Sequence, residues 1–114
     1  MKKCIREYYD NGDVKSEYYY KDETKQELHR EAGPSIIEYY KNGNKCRESY
    51  YINGKLHRED GPAYVVYNEN GIKEYEAFFK DHRLCLDFGP TQRYYNKDGS
   101  LSHETYCVSN LPFF

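Results

Sequence analysis

Two segments of similar sequence place histidine, arginine and carboxylate side chains together, and these residue types can carry acid–base catalysis. They are His29-Arg30-Glu31 and His57-Arg58-Glu59-Asp60. Histidine exchanges a proton near neutral pH, and a neighbouring carboxylate can orient its ring. The pattern occurs twice, whereas a protein normally has a single active site. We therefore interpret both segments as structural and predict that the protein is not an enzyme and has no catalytic residues.

A metal site is the second chemistry to consider, because His29, His57 and Cys85 occupy equivalent places along the chain. Equivalent residues two strands apart in a sheet are separated by about 10 Å, whereas zinc needs each ligand within about 2.3 Å. No Cys-x-x-Cys pair occurs among the four cysteines, Cys4, Cys46, Cys85 and Cys107. The sequence predicts no metal site, no cofactor and reduced thiols.

The overall composition excludes several classes of function. The net charge is −2, with 17 basic and 19 acidic residues interspersed, so the basic surface that nucleic-acid binding requires is missing. No apolar run approaches the ~18 residues of a membrane span, and the N-terminus lacks a hydrophobic signal region. Fifteen tyrosines predict an aromatic core. We expect a cytoplasmic protein, in the host cytoplasm if it is viral, with no nucleic-acid partner and no membrane span.

The elements that must position these residues follow from two series of glycines. Gly-Pro pairs recur every 28 residues, beginning with Gly33, Gly61 and Gly89. A second series, the hairpin glycines, comes directly after Asn or Asp in turns between short strand-like runs: Gly12, Gly43, Gly71 and Gly99. Asn-Gly and Asp-Gly favour type I′ hairpin turns. The sequence therefore predicts one all-β domain over 1–114, an antiparallel β-meander and single-sheet repeat of about four two-strand units, approximately 5–34, 35–62, 63–90 and 91–114.

Counting from each hairpin glycine exposes columns of similar residues. Four positions before it stand Tyr8, Tyr39, Tyr67 and Tyr95. Five positions after it stand Glu17, Glu48, Glu76 and Glu104, and seven after it stand Tyr19, Tyr50, Phe78 and Tyr106. Six positions before it stand Arg6, Ile37, Val65 and Arg93. A two-residue turn places these columns on one face, whereas a one-residue bulge would separate them.

We interpret the tyrosine, glutamate and Gly-Pro glycine positions as the structural residues of the repeat. Stacked rings on one face can build a core that has few aliphatic side chains. A glutamate on that face needs a partner or access to solvent, and the Arg and His of the Leu-His-Arg-Glu segments are the expected partners. An acidic ridge that receives a basic partner is the alternative.

The candidate binding residues are tyrosines outside the columns together with the two arginines of the Leu-His-Arg-Glu segments: Tyr9, Tyr20, Tyr40, Tyr51, Arg30 and Arg58. Surface tyrosines are also ordinary strand residues, so a role without ligand contact stays open. At the C-terminus, Phe113 and Phe114 are expected to cap the open sheet edge; otherwise they form an exposed dimer contact. A homo-oligomer formed through open sheet edges or this tail is a further alternative.

Two segments carry a resemblance to a known family: Glu38-Tyr39-Tyr40-Lys41-Asn42-Gly43 and Tyr50-Tyr51-Ile52-Asn53-Gly54-Lys55-Leu56-His57-Arg58-Glu59-Asp60-Gly61-Pro62-Ala63. They resemble MORN-variant repeats, as in antitoxin-like bacterial proteins of the YwqK type. The Leu-His-Arg-Glu-Asp-Gly-Pro-Ala form is similar to repeats in proteins of large DNA viruses, phages and some bacteria. The resemblance covers nearly the whole chain and weakens after Cys85. It implies an elongated antiparallel sheet that acts as a scaffold or interaction module without activity of its own.

These observations favour a non-enzymatic protein–protein interaction module, a viral or bacterial effector or antitoxin-like protein that binds and modulates a partner protein. The alternative is a binder or sequesterer of a small anionic ligand, held by tyrosine faces and the His-Arg segments. Self-assembly through sheet edges is a third hypothesis.

Overall fold

The computed structural model describes residues 2–84 and 89–106, and all regular structure in them is β. Ten strands follow in chain order: β1 (Lys3–Tyr8), β2 (Val14–Tyr20), β3 (Ile36–Tyr39), β4 (Lys45–Ser49), β5 (Tyr51–Ile52), β6 (Lys55–Leu56), β7 (Tyr64–Tyr67), β8 (Lys73–Ala77), β9 (Gln92–Tyr95) and β10 (Leu101–Thr105). Within these ranges no helix has the length and apolar character needed to cross a membrane. The predicted terminal contacts of Phe113 and Phe114, and the thiols of Cys85 and Cys107, lie outside the described residues.

Eight strands form one antiparallel sheet in the order β1-β2-β3-β4-β7-β8-β9-β10. This order confirms the predicted single-sheet meander. It contains four hairpins, β1–β2, β3–β4, β7–β8 and β9–β10, which we call hairpins 1 to 4. Strands β5 and β6 pair only with each other, in a short separate hairpin. The molecule is flat, with extents of 55 × 37 × 18 Å.

The four long hairpins do not use the type I′ turns that the sequence predicted. A type I′ turn needs a positive φ at both central residues. In hairpin 1, Gly12 has a φ of 93°, but the φ of Asn11 is not positive. The N–H of Gly12 donates to Tyr9 O at 2.9 Å, which gives a three-residue loop with glycine at the left-handed position. The Asn11 Oδ1 instead accepts the N–H of Asp13 at 2.9 Å, and this bond occupies the side chain that would otherwise favour the left-handed state.

The short β5–β6 hairpin does use the predicted turn. Asn53 has φ 50° and Gly54 has φ 81°, so both central residues are left-handed, as a two-residue turn joining twisted strands requires. The next loop adopts the same backbone with different residues, because Asp81 and His82 have φ values of 50° and 68°. Turn type therefore follows the length of the loop rather than the Asn-Gly dipeptide alone.

The columns identified in the sequence share one face despite the bulges. In hairpin 1 the register shifts between Glu7 and Tyr8, at the turn end of the strand. Beyond that point the glutamate column lies directly opposite the column six positions before the hairpin glycine: Arg6↔Glu17, Ile37↔Glu48, Val65↔Glu76 and Arg93↔Glu104. We call this side of the sheet the Glu face and the other side the open face.

The buried hydrophobic side chains of the described residues are aliphatic, which corrects the aromatic core predicted from the sequence: Ile37, Ala63, Val65 and Ala77. Ile37 and Val65 lie on the Glu face beside Glu48 and Glu76, whereas Ala77 lies on the open face. The loops that follow hairpins 1 and 2 lie over the Glu face. The loops contribute arginines that cover the aromatic column: the Arg30 guanidinium lies 3.8 Å from the ring centroid of Tyr19. Arg58 repeats the contact over Tyr50 at 4.1 Å. Cation–π contacts of this kind stabilise a partly desolvated ring by about 0.5–2 kcal/mol.

Candidate functional site

The glutamate column forms a hydrogen-bonded ladder that links successive hairpins. The Tyr39 hydroxyl donates to Glu17 Oε1 at 2.9 Å, and the Tyr67 hydroxyl donates to Glu48 Oε1 at 2.6 Å. Tyr95 donates to Glu76 in the same way. Each tyrosine belongs to the hairpin after that of its glutamate, so every bond crosses between hairpins. We call this arrangement the Glu–Tyr ladder.

Each carboxylate of the glutamate column also forms an ion pair with an arginine or a lysine. The pairs are Arg6 with Glu17 at 2.7 Å, Lys45 with Glu48 at 2.9 Å, Lys73 with Glu76 at 2.8 Å and Arg93 with Glu104 at 2.7 Å. These partners differ from the expected Arg and His of the Leu-His-Arg-Glu segments. Arg6, Arg93 and the tyrosines reach the glutamates from a neighbouring strand. Lys45 and Lys73 stand three residues before their glutamates on the same strand.

The ladder lowers the pKa of Glu17, Glu76 and Glu104 and raises the pKa of Tyr39, Tyr67 and Tyr95. Burial alone would raise the pKa of Glu76, but hydrogen bonds from Lys73 and Tyr95 outweigh it and leave the pKa below its usual value. Burial raises the pKa of Tyr39 to about 12, together with the hydrogen bond to the Glu17 carboxylate. A charge-assisted bond of this type favours one protonation state on each side, so the ladder is structural rather than poised for proton transfer.

Arg30 and Arg58, two of the predicted binding residues, are held inside the loops. The Arg58 Nη1 donates to Pro62 O at 3.1 Å, and Arg30 makes the equivalent bond to Pro34 O at 3.2 Å. A Cβ at Gly61 would lie only 3.0 Å from the Arg58 Cζ. The Gly-Pro glycine therefore leaves room for the stacked guanidinium.

The histidines of the same segments join one loop to the next. The Nδ1 of His29 accepts the N–H of Asn53 at 2.9 Å, and the Nδ1 of His57 accepts the N–H of Asp81 at 3.0 Å. Both rings therefore carry no proton on Nδ1. The part of the chain that the structure describes contains no group of three His, Cys, Asp or Glu side chains able to hold a metal ion, and Cys85 lies outside that part.

The four tyrosines predicted to bind a partner are not brought into one site. The hydroxyl of Tyr9 donates to Tyr39 O at 2.6 Å, and that of Tyr40 donates to Tyr67 O at 2.7 Å, both beside the hairpin turns. Tyr20 is the last residue of β2 and bridges to Leu28, whereas Tyr51 is the first residue of β5 and pairs with Leu56. Tyr9 and Tyr40 thus connect neighbouring hairpins.

The open face carries a second group of aromatic side chains, the aromatic strip, formed by Tyr64, Tyr75, Tyr94 and His103. The ring centroids of Tyr64 and Tyr75 are 6.0 Å apart with an edge-to-face geometry, and those of Tyr75 and Tyr94 are 5.1 Å apart. The His103 ring stacks on Tyr94 at 4.4 Å with an interplanar angle of 10°. The three tyrosines are half-buried and His103 is exposed.

Polar neighbours fix the rings of the aromatic strip. Gln92 Nε2 donates to the Tyr75 hydroxyl at 2.6 Å, and Arg47 Nη1 donates to the Tyr64 hydroxyl at 3.1 Å. The Arg47 Nε also lies 2.6 Å from Glu38 Oε1, an ion pair whose N–H direction does not make a hydrogen bond. The strip is therefore a preorganised aromatic surface with a charged border on β3 and β4.

Reasoning from the repeat missed the aromatic strip, because its members stand at three different distances from their hairpin glycines. The available signal was the alternation of side chains along a strand. Tyr75 precedes Glu76 and Tyr94 follows Arg93, so both tyrosines must point to the face opposite these column residues. In the structure they pair directly across β8 and β9. That pairing becomes visible only when the register is known.

A cleft of about 570 Å³ lies on the Glu face between the first two loops. Its charged lining combines Arg30, Lys45, His57 and Arg58 with Glu31, Glu48, Glu59 and Asp60. Lys45 is paired with Glu48 at 2.9 Å, and His57 Nε2 lies 2.7 Å from Glu59 Oε2. The cleft thus presents charges of both signs in close pairs.

Comparison with protein-family models, with curated proteins and with solved structures found no match for this chain. The resemblance to MORN-variant repeats accordingly stays a prediction.

Proposed function

We propose that the protein is a non-enzymatic protein–protein interaction module, of the viral or bacterial effector or antitoxin-like type, and that the aromatic strip is its contact surface. The observation that carries the proposal is the run of touching rings on the open face, from Tyr64 to His103. Tyr64, Tyr75 and Tyr94 are half-buried and His103 is exposed, so the run keeps surface that is accessible to a partner.

The chemistry of the strip suits a protein surface. Tyr and Arg are enriched among the residues that dominate binding energy at protein interfaces. Rings already held by Gln92 and Arg47 lose little side-chain entropy when a partner docks. The ion pair of Glu38 and Arg47, with side chains 34% and 41% exposed, provides a polar border, and such a border contributes more to specificity than to affinity.

The alternative is a small anionic ligand in the cleft of the Glu face. The cleft volume of about 570 Å³ lies within the range of small-molecule sites, and Arg30 and Arg58 line it. The acidic side chains of the same lining oppose an anion, so this alternative has weaker support than the strip.

The test compares two variants of the immobilised protein exposed to lysate of the source cell. Y94A/H103A removes the stacked end of the strip, and K97A changes an exposed residue in the turn of hairpin 4, outside the strip. We expect a stoichiometric protein to be retained by the wild type and by K97A, and at least a tenfold loss of its retention by Y94A/H103A. Circular dichroism checks that both variants are folded.

Equal retention by Y94A/H103A and the wild type would contradict the assignment of the strip. Native mass spectrometry of the eluate addresses the alternative. A chain that carries a small added mass and no protein partner would replace the interaction module by ligand sequestration.

A further inference from the structure

The junctions between successive hairpins follow one register. At β2–β3 and β8–β9 the glutamate of one hairpin lies opposite the residue six positions before the next hairpin glycine, as in Glu17↔Ile37 and Glu76↔Arg93. The next hairpin's tyrosine donates to that glutamate. The aromatic residue two positions after the glutamate donates its N–H to a carbonyl of the next hairpin, as in Tyr19 N to Ser35 O at 2.7 Å.

The outer edge of β1 carries residues from the same columns that β3, β7 and β9 use to join the preceding hairpin. Arg6 and Tyr8 stand six and four positions before Gly12, in the columns of Arg93 and Tyr95. β1 is the first strand of the sheet order and pairs only with β2 among the described strands. The Tyr8 side chain is 58% exposed, and its hydroxyl makes no hydrogen bond to a described residue, unlike the other three tyrosines of its column.

A small residue completes the match at this edge. Eight positions before the hairpin glycines stand Cys4, Ser35, Ala63 and Thr91. The last three are buried at the junctions, with Ser35 and Ala63 at 0% exposure. Cys4, at the outer edge, is half-buried, and it is small enough to take the same place against another strand.

The outer edge of β10 carries residues from the same columns that β2, β4 and β8 use to join the following hairpin. Glu104 stands in the glutamate column, and its Oε1 accepts a hydrogen bond from the 57% exposed Tyr106 at 3.0 Å. In hairpins 1 to 3 the equivalent Oε1 accepts the tyrosine of the following hairpin. Tyr106 thus occupies the acceptor that a following hairpin would use.

We propose that β1 of a second copy of this chain pairs antiparallel with β10 and continues the sheet head to tail. Arg6 of the second copy would lie opposite Glu104, and its Tyr8 hydroxyl would replace that of Tyr106 on Glu104. The structure already contains this charge arrangement: Arg93 lies 2.7 Å from Glu104 and 3.9 Å from Glu76, between the glutamates of two hairpins. Arg6 of the second copy would likewise lie between its own Glu17 and Glu104 of the first copy.

Such a contact uses two different surfaces, so it forms open chains or closed rings rather than a symmetric dimer. Backbone pairing along an unpartnered edge supplies affinity, and the Arg6–Glu104 match supplies the register. The proposed contact uses the strand edges and the Glu face, whereas the aromatic strip lies on the open face; the two share β10, which carries His103.

The test is sedimentation velocity over a concentration series, with variants that block one edge each. Y8A removes the ring and hydroxyl that would enter, at a side chain that is 58% exposed, and E104K replaces the acceptor on the other edge with a cation that repels Arg6. The wild type should show an average mass that rises with concentration, whereas each variant alone should associate at least tenfold more weakly. An equimolar mixture of Y8A and E104K should give a one-to-one dimer, because the mixture retains one intact edge of each kind.

The control is E69K, which changes an exposed residue in the turn of hairpin 3 and should associate like the wild type. If E104K fails to fold by circular dichroism, E104Q keeps the side-chain shape and carries the same comparison. A wild type that stays a single chain throughout the series would overturn the proposal. So would association of either variant alone that is as strong as that of the wild type, or a mixture of Y8A and E104K that does not associate.

Discussion

The two faces of the sheet are built differently. On the Glu face the same contact recurs between every pair of adjacent hairpins, because glutamate and tyrosine return at fixed distances from each hairpin glycine. On the open face, positions equivalent to Tyr75 hold Ser16, Arg47 and His103. Among the described residues of that face, aromatic rings meet in hairpins 3 and 4. The recurring face thus joins the hairpins, and the variable face is free to differ from one hairpin to the next.

This difference has an energetic basis. A half-buried carboxylate must keep its hydrogen bonds, since an unpaired buried charge costs several kcal/mol, so changes on the Glu face are strongly constrained. Rings on the open face contribute through contact area and weak aromatic interactions of about 0.5–1.5 kcal/mol. Loss of ladder residues should therefore cost more stability than loss of strip residues.

The largest effect is expected from acid, which protonates Glu17, Glu76 and Glu104 together. Hydrogen bonds hold the pKa of Glu104 below its usual value, and those to Glu17 and Glu76 outweigh the effect of burial to do the same. A lowered folded pKa gives stability that is complete above the unfolded value of about 4.3 and is lost as pH falls through the folded value. We expect the urea midpoint to be flat from neutral pH to about pH 5 and to fall steeply below about pH 4.

The measurement is urea denaturation followed by circular dichroism across this pH range. The variant E76A should retain less of the acid dependence than the wild type, because one titrating group of the ladder is gone. A midpoint that stays constant into the acid range would show that the ladder does not contribute.

The next effect is the loss of one carboxylate from the ladder. Glu76 is 3% exposed and bonded by Lys73 and Tyr95, so E76A should reduce the free energy of unfolding by about 2–4 kcal/mol. The matched control is E74A, at an exposed site two residues earlier in β8, which should change it by less than about 0.5 kcal/mol. Equal effects of E76A and E74A in urea denaturation would remove the distinction between the faces.

The smallest effect comes from single hydroxyl groups, and it compares the two faces directly. Y67F removes a 2.6 Å bond to a carboxylate and should cost about 1–2 kcal/mol. Y75F removes a bond of the same length from Gln92, a neutral donor, and should cost about 0.5–1 kcal/mol. Chemical denaturation of both variants measures the difference, and a larger loss for Y75F than for Y67F would reverse the assignment of the faces.

Several features followed from the sequence because they depend on local spacing. Gly12, Gly43, Gly71 and Gly99 marked the turns, and the tyrosine and glutamate columns marked a shared face, since side chains alternate along a strand. The positions of the Gly-Pro glycines were also evident, but the reason for Gly61 was not: it is the close approach of the Arg58 guanidinium.

Other features depended on how strands from different hairpins are aligned, which spacing alone does not determine. The three-residue loops set the register, and the register decides that Tyr39 meets Glu17 and that Tyr94 stacks on His103. It also placed Tyr9 and Tyr40 in contacts between hairpins rather than in one binding site. The sequence by itself determined the hairpins and which residues recur; the tertiary structure decided which of them touch, because a contact across strands depends on the relative shift of two chain segments that local residue preferences leave open.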